Sequence, residues 1–179
     1  MTILKFLKNI FTRSKKLESS SIKISSSFEE LEKITRSIFS PVNIKKDDSL
    51  RNNSFTTPSG KDEISVNRLD YTTPDFIKKL GKLISNPEHN RSYYGVAVID
   101  VGEIYECKSD IVYSPTEIKF TDTVVQNPFH SDIKIGFEKE VGKPLPMNFA
   151  YKVEQMVNRS RFYKDHHPHE AEWLDGDLK

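Results

Sequence analysis

Residues 93–107 read YYGVAVIDVGEIYEC, and this stretch decides the fold. Its β-branched residues and the lack of charge before Asp100 are typical of a central strand that is buried on both faces. The pattern predicts a strand that is interrupted near Gly102. Cys107, at its end, has the context of a small buried residue.

Further strand signals lie on both sides of this segment. Upstream, DEISVNRL (62–69) alternates, with Ile64 and Val66 on one face and polar residues on the other. Downstream, proline and Asn-Pro punctuation separates three strand-like runs. These runs are IVYS (111–114), EIKFTDTVV (117–125) and SDIKIGF (131–137).

Three segments of the main domain have helical spacing. SFEELEKITRSIF (27–39) begins with a capping-box pattern and is followed by Pro41, so we predict a helix there. Thr73 caps PDFIKKLGKLIS (74–85), and Pro146 opens PMNFAYKVEQMVNRSRFY (146–163). Because strands and helices do not alternate regularly, the fold class is α+β. We predict one domain over residues 27–163, with a mainly antiparallel sheet of about five strands flanked by helices.

The N-terminus is predicted to be a basic amphipathic helix, residues 1–17. Its apolar positions recur at helical spacing and lysines occupy the remaining face. A serine-rich linker, residues 18–26, separates it from the domain. Such a helix could dock on a protein partner, lie on a membrane surface or pack on its own domain. The apolar positions are Ile3, Phe6, Leu7, Ile10 and Phe11.

Composition restricts the function classes. The net charge of +1 gives no overall reason to expect a nucleic-acid partner, although one is compatible with the basic N-terminus. One cysteine excludes an intramolecular disulfide and favours a reducing, cytoplasmic location. The chain has no run of apolar residues long enough to span a membrane and no signal-peptide pattern.

Residues 164–179 are predicted to form an acidic, histidine-containing tail. Its start, KDHHPHEAEW, contains His166, His167 and His169. Pro168 prevents these histidines from sharing a continuing helix, and no second set of ligands completes a zinc site. We therefore predict no metal site and no cofactor.

NPFHSDI (127–133) is the strongest candidate for a catalytic site. Asn127 and Pro128 favour a turn, and alternation beyond it places His130 and Asp132 on one face of a strand. A carboxylate beside an imidazole can orient the ring for acid–base chemistry. A solvated strand face with an ordinary surface histidine is the alternative.

Two arginines are candidates for binding an anion next to this histidine. Arg68 ends the DEISVNR strand and Arg51 lies in the long polar loop before it. A guanidinium can hold a phosphate or a carboxylate with two hydrogen bonds. A surface ion pair is the alternative for each.

Three fragments together resemble a pattern in small bacterial proteins of unknown function. In that group an acidic-ELSV-Arg strand, a Gly-Val-Ala strand and an Asn-Pro-x-His turn occur in this order. The fragments here are DEISVNR, YYGVAVIDVGEIYE and NPFHSDI. The resemblance covers about residues 50–145 and matches Arg68, Asn127 and His130. It implies a shared motif and carries over no activity.

Two functions of different classes follow. The first is a cytoplasmic accessory protein of a larger bacterial assembly, which docks through its N-terminal helix. The second is a small enzyme that acts on a phosphate-bearing substrate, a nucleotide or RNA, with His130 as acid or base and Arg68 as anion clamp. The phosphate-loop, dinucleotide-binding and serine-hydrolase motifs are absent.

Overall fold

The computed structural model describes residues 23–120 and 123–178. The predicted helix of residues 1–17, with Ile3, Phe6, Leu7, Ile10 and Phe11, lies outside the described residues, as does most of the predicted linker. None of the described helices is long and apolar enough to cross a membrane.

The described residues form an α+β fold, and its main sheet is antiparallel throughout. The strands are β1 (Lys33–Pro41), β2 (Glu63–Arg68), β3 (Arg91–Asp100), β4 (Asp110–Tyr113), β5 (Thr116–Phe120), β6 (Thr123–Asn127), β7 (His130–Lys134) and β8 (Arg161–Lys164). The helices are α1 (Pro74–Leu83), α2 (Val101–Glu106) and α3 (Met147–Arg159). Six strands pair in the order β4-β7-β2-β1-β3-β8, and β5 and β6 form a separate two-stranded hairpin. The predicted fold class is confirmed, and the main sheet has one strand more than predicted.

The elements with the clearest periodicity lie where the sequence predicts them. β2 lies within the alternating run 62–69, and Ile64 and Val66 are buried on one of its faces. Helix α1 begins after Thr73, whose hydroxyl accepts the Phe76 N–H at 3.3 Å. On α3, buried Val153, Met156 and Val157 face the core.

The prediction of a helix over residues 27–39 is wrong, because this segment supplies the central strand β1. Ile34 and Ile38 are four residues apart, which fits a helical stripe, and both are fully buried. In β1 they share one face, because positions i and i+4 of a strand point the same way. The strand pairs with β3 along its full length and with β2 at its start, so sheet hydrogen bonds replace the helical ones.

Three further boundaries differ from the predictions. β3 ends at Asp100 and continues as α2, because the N–H groups of Val101 and Gly102 bond to the carbonyls of Glu32 and Glu30. The predicted strand 117–125 is a hairpin of two strands, β5 and β6. The last residues of the predicted C-terminal helix leave α3 and form β8, which pairs with β3.

Each face of the main sheet is covered by different elements. On one face, α3 and the loop between β1 and β2 pack on residues such as Ile34, Val66 and Ile133. On the other face, α1 covers β1 and β3. Trp173 and Leu178 join the buried cluster of this second face. The predicted tail from residue 164 is therefore packed on the domain as far as Leu178.

Gly95 allows the edge strand β8 to pair with β3. A Cβ at this position would lie 2.2 Å from the carbonyl oxygen of Tyr163, and φ is +153°. We expect Gly95→Ala to lower the free energy of unfolding by about 2 kcal/mol or more, because backbone must move to relieve the contact. Urea unfolding measures this. Gly142→Ala, with no atom within 4 Å of its Cβ, is the control, and an equal loss in both variants would contradict the explanation.

Candidate functional site

The strands β1 and β2 separate shortly after they meet, and Arg36 fills the gap between them. They pair at two positions only, Ile34 with Arg68 and Thr35 with Asn67. Beyond these pairs, Arg36 Nη1 donates to the Ser65 carbonyl at 2.6 Å, a group that a neighbouring strand would otherwise satisfy. Its Nε donates to the carbonyl of Ser54 at 2.7 Å. The separation leaves polar side chains uncovered on the α1 side of the sheet.

A cleft of about 690 Å³ lies over this region, between the sheet and the β5–β6 hairpin. Its volume is within the range of small-molecule sites. Strands β1, β2 and β7 contribute its floor, and the start of β3 contributes one end. Its lining residues include Arg36, Ser65, Asn67, Arg91, His130 and Asp132.

Ser114, His130 and Asp132 form a hydrogen-bonded cluster on the floor of the cleft. His130 and Asp132 alternate along β7, so they share the face that the cleft exposes. The Ser114 hydroxyl donates to Asp132 Oδ2 at 2.5 Å. His130 Nδ1 lies 2.7 Å from the Ser114 carbonyl oxygen and 3.1 Å from its hydroxyl.

This arrangement fixes the tautomer of His130. A carbonyl oxygen can only accept, so Nδ1 carries the proton and Nε2 is the acceptor of the neutral ring. Nε2 lies 3.7 Å from Asp132 Oδ1. That oxygen is buried and has no hydrogen-bond partner among the described residues. The cluster therefore has one free proton acceptor and one unsatisfied carboxylate oxygen.

Asn127 and Asn67 form a chain of amides next to the histidine. Asn127 Oδ1 accepts the Phe129 N–H at 3.3 Å, and Asn127 Nδ2 donates to Asn67 Oδ1 at 2.7 Å. Because the Phe129 N–H can only donate, both amide orientations follow from it. Asn67 Nδ2 makes no hydrogen bond to an acceptor among the described residues, and Asn67 pairs directly with His130 across the sheet. Its amide donors thus lie beside the imidazole.

The charges that line the cleft are only partly paired. Glu63 bonds to Lys61 and Lys134, and Glu117 bonds to Lys119. In the described part of the chain, neither Arg36 nor Arg91 has a carboxylate within 4 Å; Arg91 instead covers the ring of Phe39, 4.2 Å from its centroid. The unpaired charge at this end of the cleft is therefore positive.

The pKa values of both guanidiniums reflect this environment. Burial, and then the charge of Arg91, lower the pKa of Arg36 to about 10, although Asp132 acts in the opposite direction. Burial also lowers the pKa of Arg91. A bound anion would offset the cost of burying each guanidinium charge, because it supplies the missing opposite charge.

The predicted partnership of Arg68 with His130 is wrong. Arg68 follows Asn67 on β2, so its side chain leaves the sheet on the face opposite His130. There it is fully buried and bound to both oxygens of Glu32. Arg51 donates to the Ile44 carbonyl in the loop after β1 and does not line the cleft.

The C-terminal histidines lie away from this cleft. His166 Nδ1 is 2.9 Å from Asp175 Oδ1, and His167 Nε2 is 3.9 Å from the same oxygen. Both imidazoles are at least half exposed. None of the three histidines is among the residues that line the cleft.

Of the predicted site residues, the structure brings together His130, Asp132 and Asn127. Sequence reasoning missed Arg36, Arg91 and Ser114. Arg36 lay within a segment predicted to be helical, and Arg91 closed a turn. Ser114 had one usable signal, since it stands between a predicted strand and Pro115.

Comparisons with protein-family models, with curated proteins and with solved structures give no match for this chain. The resemblance to the bacterial Asn-Pro-x-His pattern stays a prediction.

Proposed function

We propose that this protein is a small enzyme that binds a phosphate-bearing small molecule in the cleft and uses His130 as its acid–base group. One observation carries the proposal: the Ser114–His130–Asp132 cluster opens into a cleft whose unpaired charge is otherwise positive. The alternative of a solvated strand face is less favoured, because the side chains of His130 and Asp132 are only 14% and 11% exposed.

His130 is prepared to accept a proton at one defined atom. The Ser114 carbonyl holds the Nδ1 proton, which leaves Nε2 as the base. When Nε2 takes a proton, the imidazolium gains the Asp132 carboxylate as a close opposite charge. Ser114 holds that carboxylate through its other oxygen, so the pair needs little rearrangement during proton transfer.

The cations supply the reason to expect a phosphate. Arg36 keeps Nη2 after Nε and Nη1 are used by backbone carbonyls. Arg91 lies at the same cleft with no carboxylate partner among the described residues. Guanidinium groups bind phosphate oxygens through charge-assisted hydrogen bonds. These two residues take the part that the sequence assigned to Arg68.

The accessory-protein hypothesis depends on residues 1–17 and stays a prediction. If it holds, deleting residues 1–18 abolishes recovery of a partner in a pull-down, while His130→Ala leaves recovery intact. A cytoplasmic location is likewise a proposal, supported by the single cysteine.

The enzymatic proposal predicts that His130→Gln lowers turnover by about 100-fold or more, because acid–base catalysis contributes at least that much. The purified chain is incubated with nucleoside mono-, di- and triphosphates, sugar phosphates and a short oligoribonucleotide. Liquid chromatography with mass detection identifies any conversion, and the active compound is then used to compare variants.

His89→Gln is the matched control, because His89 is exposed in a turn and does not line the cleft. It is expected to keep the wild-type rate. The proposal is contradicted if no compound is converted, or if His130→Gln and His89→Gln have equal rates.

A further inference from the structure

We infer that the phosphate of the ligand is an anchor held by Arg36 and Arg91, and that the reacting group is a neutral, carbonyl-like group beside His130 and Asn67. This inference rests on the proposed function and narrows its substrate class. It excludes a phosphoryl group as the centre of the reaction.

The position of Asp132 disfavours a phosphate next to His130. Its Oδ1 is buried, lies 3.7 Å from His130 Nε2 and has no hydrogen-bond partner among the described residues. A phosphate that reacted at Nε2 would come within a few ångströms of this carboxylate. Two like charges about 4 Å apart repel by about 4 kcal/mol at an effective dielectric constant near 20. The His130 end of the cleft therefore disfavours an anion.

The residues along β1 give the order of the groups in the cleft. Thr35 pairs with Asn67, and Asn67 pairs with His130, so this position marks the histidine end. Arg36 is the next residue, and Phe39, under the guanidinium of Arg91, lies three residues further on. At about 3.4 Å per residue, Thr35 and Phe39 are roughly 14 Å apart along the strand. Arg91 thus lies at the end of the cleft away from His130. Arg36 lies between the two, because its Nη1 bonds to the carbonyl of Ser65, the residue that pairs with Asp132.

The hydrogen-bond donor beside His130 suits a neutral oxygen. The chain from the Phe129 N–H through Asn127 forces Asn67 to present Nδ2. An amide N–H is a suitable donor to a neutral oxygen, such as a carbonyl or a ring amide. It can stabilise negative charge that develops on that oxygen while Nε2 of His130 accepts a proton.

Together these features describe an elongated ligand. It carries a phosphate at one end and a carbonyl or amide group at the other, as a nucleoside monophosphate does with a carbonyl-bearing base. Inorganic phosphate should bind at the arginine end alone. A substrate should leave the cleft with its phosphate still attached.

The test separates binding from turnover. Titration calorimetry measures inorganic phosphate and uridine monophosphate against the wild type, Arg91→Gln, His130→Gln and the control Arg51→Gln. We expect Arg91→Gln to weaken both ligands about tenfold, which corresponds to one lost charged hydrogen bond. Arg51→Gln should leave both affinities within about threefold of the wild type, and His130→Gln should do so for inorganic phosphate, which does not reach the histidine end. Arg36 also binds two backbone carbonyls, so its replacement could disturb the fold. The second arginine variant is therefore the conservative Arg36→Lys, and circular dichroism checks that it folds.

Turnover of the converted compound gives the second readout. Arg91→Gln should raise KM about tenfold with kcat within about twofold, as expected for an anchor that binds ground and transition states equally. The product should retain phosphate in its mass. Release of inorganic phosphate as the product, or no binding of phosphate to the wild type, would overturn the inference. If both ligands bind as described but nothing is converted, the enzymatic proposal fails and the anion site stands.

Discussion

Lys78→Met is expected to lower the free energy of unfolding by about 3–5 kcal/mol, which places it among the most destabilising changes in the chain. Lys78 is fully buried within α1, and its Nζ lies 2.9 Å from Asp165 Oδ2. It also donates to the carbonyls of His167 and Glu172, at 2.7 and 3.0 Å. Methionine fills the space but leaves one buried carboxylate and two carbonyls without their donor.

Urea unfolding measures the loss, and two further variants identify its cause. Lys143→Met removes an exposed ion pair with Glu140 and should cost less than about 0.5 kcal/mol. In Lys78→Met/Asp165→Leu the unpaired carboxylate is gone, so the double variant should be more stable than Lys78→Met alone. A loss below about 1 kcal/mol for Lys78→Met would show that the carboxylate does not depend on this lysine.

The same contact shows why the C-terminal segment could not be predicted. Lys78 occupies an amphipathic helix between the apolar positions Ile77 and Leu80, where a lysine is usually at the edge of the buried stripe. Its partner is 87 residues away, and nothing in either local pattern indicates that the two meet. The composition of residues 164–179 indicates an acidic, polar segment. Trp173 within it is nevertheless buried, and its burial depends on the position of α1, which composition does not give.

Secondary structure was predictable where one local pattern had a single interpretation. β2 alternates over six residues, and α1 has a capping threonine, a proline in its first turn and an apolar stripe. β1 satisfied two interpretations, because Ile34 and Ile38 share a face in a helix and in a strand alike. Pairing with β2 and β3 decides between them, and pairing is not a property of the segment itself.

The candidate site was predictable to the extent that it lies on one strand. Alternation along β7, after an Asn-Pro turn, was enough to place His130 and Asp132 together. Arg36 reaches the cleft because β1 and β2 diverge, and Ser114 reaches His130 through strand register. Both contacts join residues that are distant in sequence, and no local pattern indicated that Arg36 rather than Arg68 faces the cleft.

Arg68→Ala is expected to cost about 3–5 kcal/mol of unfolding free energy and to leave phosphate binding unchanged. Arg68 is fully buried, and its Nη2 donates to Glu32 Oε2 at 2.6 Å and to the Ser27 carbonyl at 2.9 Å. It also donates to the carbonyl of Ser25. Its guanidinium lies between the rings of Phe28 and Tyr71, 4.2 and 4.5 Å from their centroids. Removal leaves Glu32 as an uncompensated buried charge.

Arg51→Ala is the matched control, since Arg51 is exposed and its side chain makes one hydrogen bond within the described residues, to the Ile44 carbonyl. It should cost less than about 1 kcal/mol. Arg68→Lys keeps the charge but loses the paired bonds to Glu32, so an intermediate loss is expected. Hydrogen exchange should accelerate over residues 25–32 in both Arg68 variants, because Arg68 holds that segment by two carbonyls and a carboxylate. If Arg68 were instead an anion clamp, Arg68→Ala would keep a stability close to that of the wild type and would lose phosphate binding.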